Sequence, residues 1–423
     1  MNSFFHKFSL VLQDKVLRKR ILFTIGALVV FRVLAVIPIP GIDHNALSAF
    51  FSNNEFLGLL NVFSGGGLSQ LSIIMLGVSP YITASIIMQL LTIMSPRLKE
   101  MYQEEGDAGR QKFAQYGRLL AVPLGLIQGF GFLKLLQGQH IITVVTGFTL
   151  LSDLLVITAG SILLMWIGEL ITEYGIGNGV SLIIFAGIVS RLPSGLGQFA
   201  FIFNAAQLPL YIVFAAIALL VIVGVVVITE AERPIPVTYA KQVRGNRVYG
   251  GSSTYLPLRL NQAGVIPIIF ALSILLFPQM IAKFLLGSSN QIVAFIAGGV
   301  NSFLSNGWAY GIAYFFLVFI FTYFYTAVTF DPDQISDNLQ KNGAFIPGVR
   351  PGASTSEYIS KILTRLTLFG ALFLGMVAVL PLIVRGLTGI TALSVGGTAL
   401  LIVVSVVIDL IKKIDAQVSI REY

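Results

Sequence analysis

The chain has 423 residues, of which 56% are hydrophobic and only 11% charged, with a formal net charge of +8. A soluble globular protein carries about 25% charged residues, and a water-soluble fold of this length cannot hide so much apolar surface. With no cysteine, and with His6, His44 and His140 far apart, the sequence excludes disulfides, cysteine-based metal sites and a histidine metal cluster, and it implies no cofactor.

The first twenty residues, MNSFFHKFSLVLQDKVLRKR, interleave apolar and basic side chains at helical spacing. They predict a membrane-surface helix, with a disordered leader as the alternative, and they do not read as a cleavable signal peptide. A hydrocarbon core about 30 Å thick needs about 20 mostly apolar residues per helix. Candidate spans follow at Ile21–Ile39, Leu71–Met94, Leu119–Leu136, Leu154–Thr172, Gly179–Val189, Leu210–Ile228, Ala263–Leu286, Trp308–Phe330, Leu366–Val384 and Thr398–Ile411. The fifth is short, because Ser190, Arg191 and Pro193 follow it closely.

Lys and Arg set the orientation. With the N-terminus inside, 22 of the 27 fall in segments facing the cytoplasm, and only Lys134, Arg191, Lys283 and Arg385 fall outside. The remaining one, Arg32, lies within the first span, where an ion pair or snorkelling is expected. One span missed or invented in mid-chain would destroy this asymmetry, so ten helices with both termini cytoplasmic are predicted. Glu169, Glu173 and Asp409 fall near cytoplasmic span ends and read as solvated positions.

An internal repeat is visible. GVSPYI (77–82) in the second span matches GVIPII (264–269) in the seventh as G-V-x-P-x-I, and GVSLII (179–184) in the fifth matches GTALLI (397–402) in the tenth as G-x-x-L-x-I. Five spans is an odd number, so the halves, 1–200 and 201–423, must have opposite membrane orientation. Each repeated proline removes a backbone donor, and a bent helix is expected there.

FRVLAVIPIPGID (31–43), NVFSGGGLSQLSIIMLGVSPYITASIIMQLL (61–91), ITEYGIGNGVSLIIFAGIV (171–189), RVYGGSSTYLPLRLNQAGVIP (247–267) and DNLQKNGAFIPGVRPG (337–352) resemble the bacterial SecY family almost end to end. The resemblance implies an all-α polytopic fold, two inverted five-helix halves forming a clamshell around a central pore, and a protein-conducting channel in the cell's inner membrane.

It further implies a pore ring of Val78, Ile82, Val180, Ile184, Ile269 and Ile402, four of which the internal repeat pairs independently. A narrow apolar neck sheds water and resists ions. Valine at 78 and 180, where many relatives have isoleucine, departs slightly from the family pattern. A short plug at about 56–67, with Phe56, Leu57, Leu60 and Phe63 ahead of Gly65, Gly66 and Gly67, would re-enter the external funnel.

A lateral gate between the second and seventh helices would release signal sequences and membrane segments into lipid, with Thr83, Gln89, Thr92, Asn261 and Gln262 as its polar candidates. Lys241, Arg244, Arg247 and Arg350, on two long cytoplasmic loops at 231–261 and 331–365, are the docking candidates for the ribosome or the ATPase SecA. Asn246 stands where many relatives carry a second arginine beside Arg247. SecE and SecG are the implied accessory subunits.

Two other classes compete. A secondary transporter shares inverted repeats but keeps charged groups near the midplane, where these spans are apolar. An intramembrane hydrolase needs H-E-x-x-H, G-x-S-x-G or paired midplane aspartates, and none occurs; nor does a P-loop, so a partner must supply energy.

Overall fold

The structure, a computed structural model, describes residues 14–39, 71–138, 147–190, 193, 208–239, 242–244, 247–249, 253–286, 290–388 and 396–422. Its helices are α1 (Lys15–Val36), α2 (Ser79–Met94), α3 (Pro96–Gln103), α4 (Gly106–Gly138), α5 (Gly147–Tyr174), α6 (Gly179–Val189) and α7 (Leu208–Glu230), then α8 (Ile266–Leu285), α9 (Gln291–Ser305), α10 (Gly307–Thr329), α11 (Pro332–Lys341), α12 (Ala353–Thr388) and α13 (Gly396–Glu422). Every predicted span has its helix: α1, α2, α4, α5, α6, α7, α8, α10, α12 and α13, in that order. Among the described residues, Gly106–Gly138, Gly147–Tyr174, Gly307–Lys341 and Ala353–Leu380 are long and apolar enough to cross a membrane. α6 is about 16 Å long by its rise per residue, so it is as short as its sequence predicts.

The chain forms two compact units, one of residues 1–210, 273–306 and 402–423 and the other of 211–272 and 307–401. In the first, Asp14 caps α1, its Oδ1 accepting from Val16 N at 2.8 Å and Leu17 N at 3.5 Å. Leu17 and Ile21 then pack with Ile176 and with Leu410, Ile414 and Val418 of α13, so the starting turns of α1 and the later turns of α13 share one small core. α5 and α6 meet where a Cβ on Gly179 would lie 1.9 Å from the Gly168 carbonyl oxygen. Only glycine permits that approach. Gly179→Ala is expected to destabilise the protein by about 1–3 kcal/mol or more, the cost of overpacking, read as a lower unfolding midpoint in detergent. Gly117→Ala, with nothing within 4 Å, is expected to leave the midpoint unchanged or slightly raised.

The second unit corrects the two long loops: they build a sheet. β1 (Glu232–Tyr239) pairs antiparallel with β4 (Ser253–Arg259) and, through Thr238 and Tyr239, with β5 (Ala344–Phe345). Pro234 and Pro236 stand on the stretch of β1 that has only β4 as a neighbour, so their missing N–H groups break no second ladder. Between them in sequence, β2 (Gln242–Arg244) and β3 (Arg247–Tyr249) form a hairpin. Ile235, Val237, Leu258, Ala344, Ile346, Ile359 and Ile362 close a core beneath the sheet, which fastens the two loops to the start of α12.

Candidate functional site

The repeated G-V-x-P segments have one geometry, and it differs from the expected bend. Gly77 has φ 59° and Gly264 φ 61°, the left-handed region open to glycine, and α2 and α8 start two residues later. Pro80 and Pro267 therefore sit in the first helical turn, where the missing N–H has no intrahelical partner to lose. The prolines start these helices instead of kinking them, and α2 begins at Ser79, eight residues after the predicted start of its span. Ile82 N donates to Val78 O at 3.0 Å, and Ile269 N donates to Val265 O at 3.3 Å. Ile82 and Ile269 thus occupy the same position in the first turn of two helices that begin alike.

The turn ahead of α2 is held from two sides. Ile39 N donates to Leu71 O at 2.9 Å and Ile73 N to Ile37 O at 3.0 Å, which ties it to the exit of α1. Ser161 Oγ on α5 donates to Gly77 O at 2.7 Å, in a fully buried bond. Sequence reasoning missed Ser161, because a serine in an apolar helix carries no sign of a partner 84 residues away.

The predicted ring residues Val78, Ile82, Ile184, Ile269 and Ile402 are all buried, none more than 8% exposed, so none is a lipid-facing side chain. Val180 is half-buried, and its Cγ2 would be 3.1 Å from a Cβ on Gly168 of α5. The predicted plug at 56–67 and Lys241 lie outside the described residues.

The gate candidates divide by hydrogen bonding. Thr83 Oγ1 donates to Ser79 O at 3.0 Å and accepts from Gln128 Nε2 of α4 at 3.3 Å. Thr92 Oγ1 donates to Gln89 O at 2.6 Å within its own helix. Asn261 Nδ2 donates to Gly264 O at 3.1 Å, steadying the turn before α8. Among the described residues, Gln89 Oε1, Asn261 Oδ1 and Gln262 Nε2 are buried with no hydrogen-bond partner. An orphaned buried polar atom costs about 1–3 kcal/mol, so these three are the atoms that a functional role would explain.

Of the docking candidates, Arg244 and Arg247 are register partners across the β2–β3 hairpin. Arg350 is exposed on a braced turn, its carbonyl oxygen accepting from Thr355 Oγ1 at 2.8 Å while Ser336 Oγ donates to the nearby Gly352 O at 2.7 Å. Asp333 accepts from Ser356 Oγ beside it. Arg32 is half-buried in an apolar groove of about 810 Å³ with Ile25, Leu28, Val29 and Val33. Glu169 is not simply solvated: Arg118 Nε lies 2.7 Å from its Oε1 and joins α4 to α5. Such a partly exposed pair contributes about 0–1 kcal/mol.

The protein-family model described as SecY matches residues 72–411. The protein translocase subunit SecY of Thermotoga maritima is 43% identical over 419 residues, covering 96% of this chain and 94% of the relative. That of Synechocystis is 43% identical over 416 residues, covering 96% and 93%. Among solved structures, one described as "The structure of a protein conducting channel" superposes with a TM-score of 0.66 at 20% identity over 96% of this chain and 93% of that one. Sec61 in the canine ribosome-channel complex from the endoplasmic reticulum gives 0.63 at 19%, with the same coverage. With a family match across most of its length and relatives this similar, the chain belongs to the SecY family of polytopic helical membrane proteins.

Proposed function

We propose that this chain is the protein-conducting channel of a translocase, passing unfolded polypeptides across the membrane and releasing signal sequences and membrane segments sideways into lipid. What carries the reading is its 43% identity, over nearly the whole chain, to protein translocase subunits named SecY. The identical starts of α2 and α8 support it physically. They set Ile82 and Ile269 at matched positions in two inverted repeats, and a ring of Val78, Ile82, Val180, Ile184, Ile269 and Ile402 is the neck that sheds water. The halves 1–200 and 201–423 are the two shells, and residues 56–67 are the plug.

The chain acts as a conduit and not as an enzyme. SecA or a translating ribosome supplies the drive, SecE and SecG accompany it, and the protein resides in the inner membrane with both termini cytoplasmic. The basic residues of the two long segments 231–261 and 331–365 are the docking surface: Lys241, Arg244 and Arg247 in the first and Arg350 in the second. Clustered guanidinium groups attract phosphate, which suits the RNA of a ribosome. Of the solved structures above, the canine one is itself a ribosome-channel complex.

Proteoliposomes holding this chain with its accessory subunits, given SecA, ATP and a signal-bearing precursor, are expected to protect the full-length precursor from external protease. Ion-driven uptake of a small solute without precursor protection would instead favour a secondary transporter. Arg350→Glu is expected to lower precursor protection about ten- to a hundredfold, the scale of losing a charge-assisted contact of about 1.5–3 kcal/mol, while the variant still inserts in the membrane. Equal loss of insertion would make Arg350 a structural residue.

A further inference from the structure

α9 was not expected. It falls between the seventh and eighth spans, in the external segment, and holds no Lys, Arg, Asp or Glu over Gln291–Ser305. Its exposed apolar side chains are Ile292, Phe295, Ile296 and Phe303, at 71%, 83%, 59% and 53%. With Gly299 they recur at i, i+3, i+4, i+7 and i+11, a single helical stripe. Ala297 and Leu304, both buried, take the opposite face together with Asn301, and Gln291, Ser302 and Ser305 line one edge. In water such a stripe is an uncovered liability.

Chain geometry says what covers it. Residues 287–289 are all that separates α8 and its following Leu286 from the Asn290 cap of α9, and Asn306 alone separates α9 from α10. A three-residue link reaches about 11 Å at most, so the helix stays level with the external ends of the seventh and eighth predicted spans. A Cβ on Gly298 would lie 4.0 Å from Leu286 Cδ2, so α9 packs back on the end of the α8 segment. The helix is about 22 Å long by its rise, too short to cross about 30 Å of hydrocarbon, and an extra crossing would invert the charge asymmetry of every later loop. Trp308, 72% exposed at the start of α10, opens a stripe with Ile312, Phe316 and Ile320, and tryptophan at a span end marks the headgroup level.

We propose that α9 lies flat in the external membrane–water interface, its Ile292–Phe295–Ile296–Phe303 stripe sunk among phospholipid acyl chains. It acts as a float that fixes the outer end of α8. The absence of charge on α9 makes the occupant the apolar layer below the headgroups and not an anionic headgroup. The inference rests on the membrane-channel reading and adds to it, because α8 is the seventh span, one side of the lateral gate that the family resemblance implies, and its outer end would then follow the bilayer surface.

The chain's two tryptophans, Trp166 and Trp308, permit a depth measurement. Phe295→Trp is made with Trp166→Phe and Trp308→Phe, purified with the accessory subunits, and placed in phosphatidylcholine vesicles brominated either near the ester carbonyl or near the acyl methyl end. A companion protein keeps Trp166, 57% exposed within α5, and carries Trp308→Phe. The F295W reporter is expected to lose about half its fluorescence to bromines near the carbonyl and far less to those near the methyl end, as an interfacial helix buried about 5–10 Å requires. The Trp166 protein is expected to show the reverse order.

Absence of quenching at F295W with normal deep quenching at Trp166 would mean that water or another subunit covers the stripe, and the proposal falls while the channel reading stands. Deepest quenching at F295W would mean a helix plunged into the core, which also overturns it. If Trp166 escapes the deep bromines, the membrane reading and this inference fail together. Phe303→Trp in the same background repeats the measurement on the same stripe.

Discussion

Replacing Ile82, Ile184, Ile269 and Ile402 together by serine is expected to convert an electrically silent resting channel into one that conducts ions in planar-bilayer recordings. Branched aliphatic side chains in a neck narrow enough to dewet leave an ion no partner to replace its hydration shell, and four hydroxyls give water a foothold. A single substitution is expected to do little, because the remaining side chains still enclose the neck. Val180 offers a comparison within the ring. It is half-buried beside Gly168, whereas Ile184 is 1% exposed, so on a background already carrying serine at Ile82, Ile269 and Ile402, V180S is expected to add less leak than I184S. Truncating a buried isoleucine costs about 2–5 kcal/mol, so the unfolding midpoint must accompany each recording. The quadruple leucine variant, which keeps volume and apolarity, is the control. A folded quadruple serine variant that stays silent would leave the ring without its assigned role.

The spans were legible because hydropathy over about 20 residues and the side preference of Lys and Arg are coarse signals that no neighbour overrides. The G-V-x-P repeat was legible as a repeat but misread as geometry. Apolar residues run on both sides of Pro80, and nothing in LSIIML upstream tells a helix interior from a turn pinned by Ser161 and by the exit of α1. The sheet was hidden by its own composition. Pro234, Pro236 and Pro257 argue against a strand unless one edge is known to be free. α9 was passed over because an apolar run of that length neither spans nor alternates. Glu169 looked solvated because its partner Arg118 lies 51 residues away on another helix.

For the candidate gate residues the sequence shows the kind of side chain and not its hydrogen-bonding state. Thr83 and Thr92 read as gate polar groups, yet their hydroxyls donate within their own helix, as Ser and Thr commonly do in membrane helices. Sequence position alone does not separate them from Gln89, Asn261 and Gln262, whose orphaned atoms need the coordinates to be seen.

A covalent link between α2 and the turn that leads into α8 is expected to abolish translocation of a signal-bearing precursor, and cleaving the link to restore it. The chain has no cysteine, so paired cysteines at Gln89 and Asn261, or at Gln89 and Gln262, would be its only thiols and a cleavable bis-maleimide would join only them. If α2 and α8 part to let a signal sequence reach lipid, Gln89 Oε1, Asn261 Oδ1 and Gln262 Nε2 are groups that exchange partners as the gate moves. In such a gate their lack of partners would leave the closed form a shallow minimum, since an interhelical hydrogen bond in a membrane averages only about 0.6 kcal/mol. A tether replaces that shallow bias by a bond that does not open. The same cysteine pair without the tether should translocate normally, and a pair at Thr83 and Gln128, within the first unit, should translocate even when joined. Normal export through a verified α2–α8 tether would mean that these helices do not form the exit, and the three orphaned groups would then be a cost of packing alone.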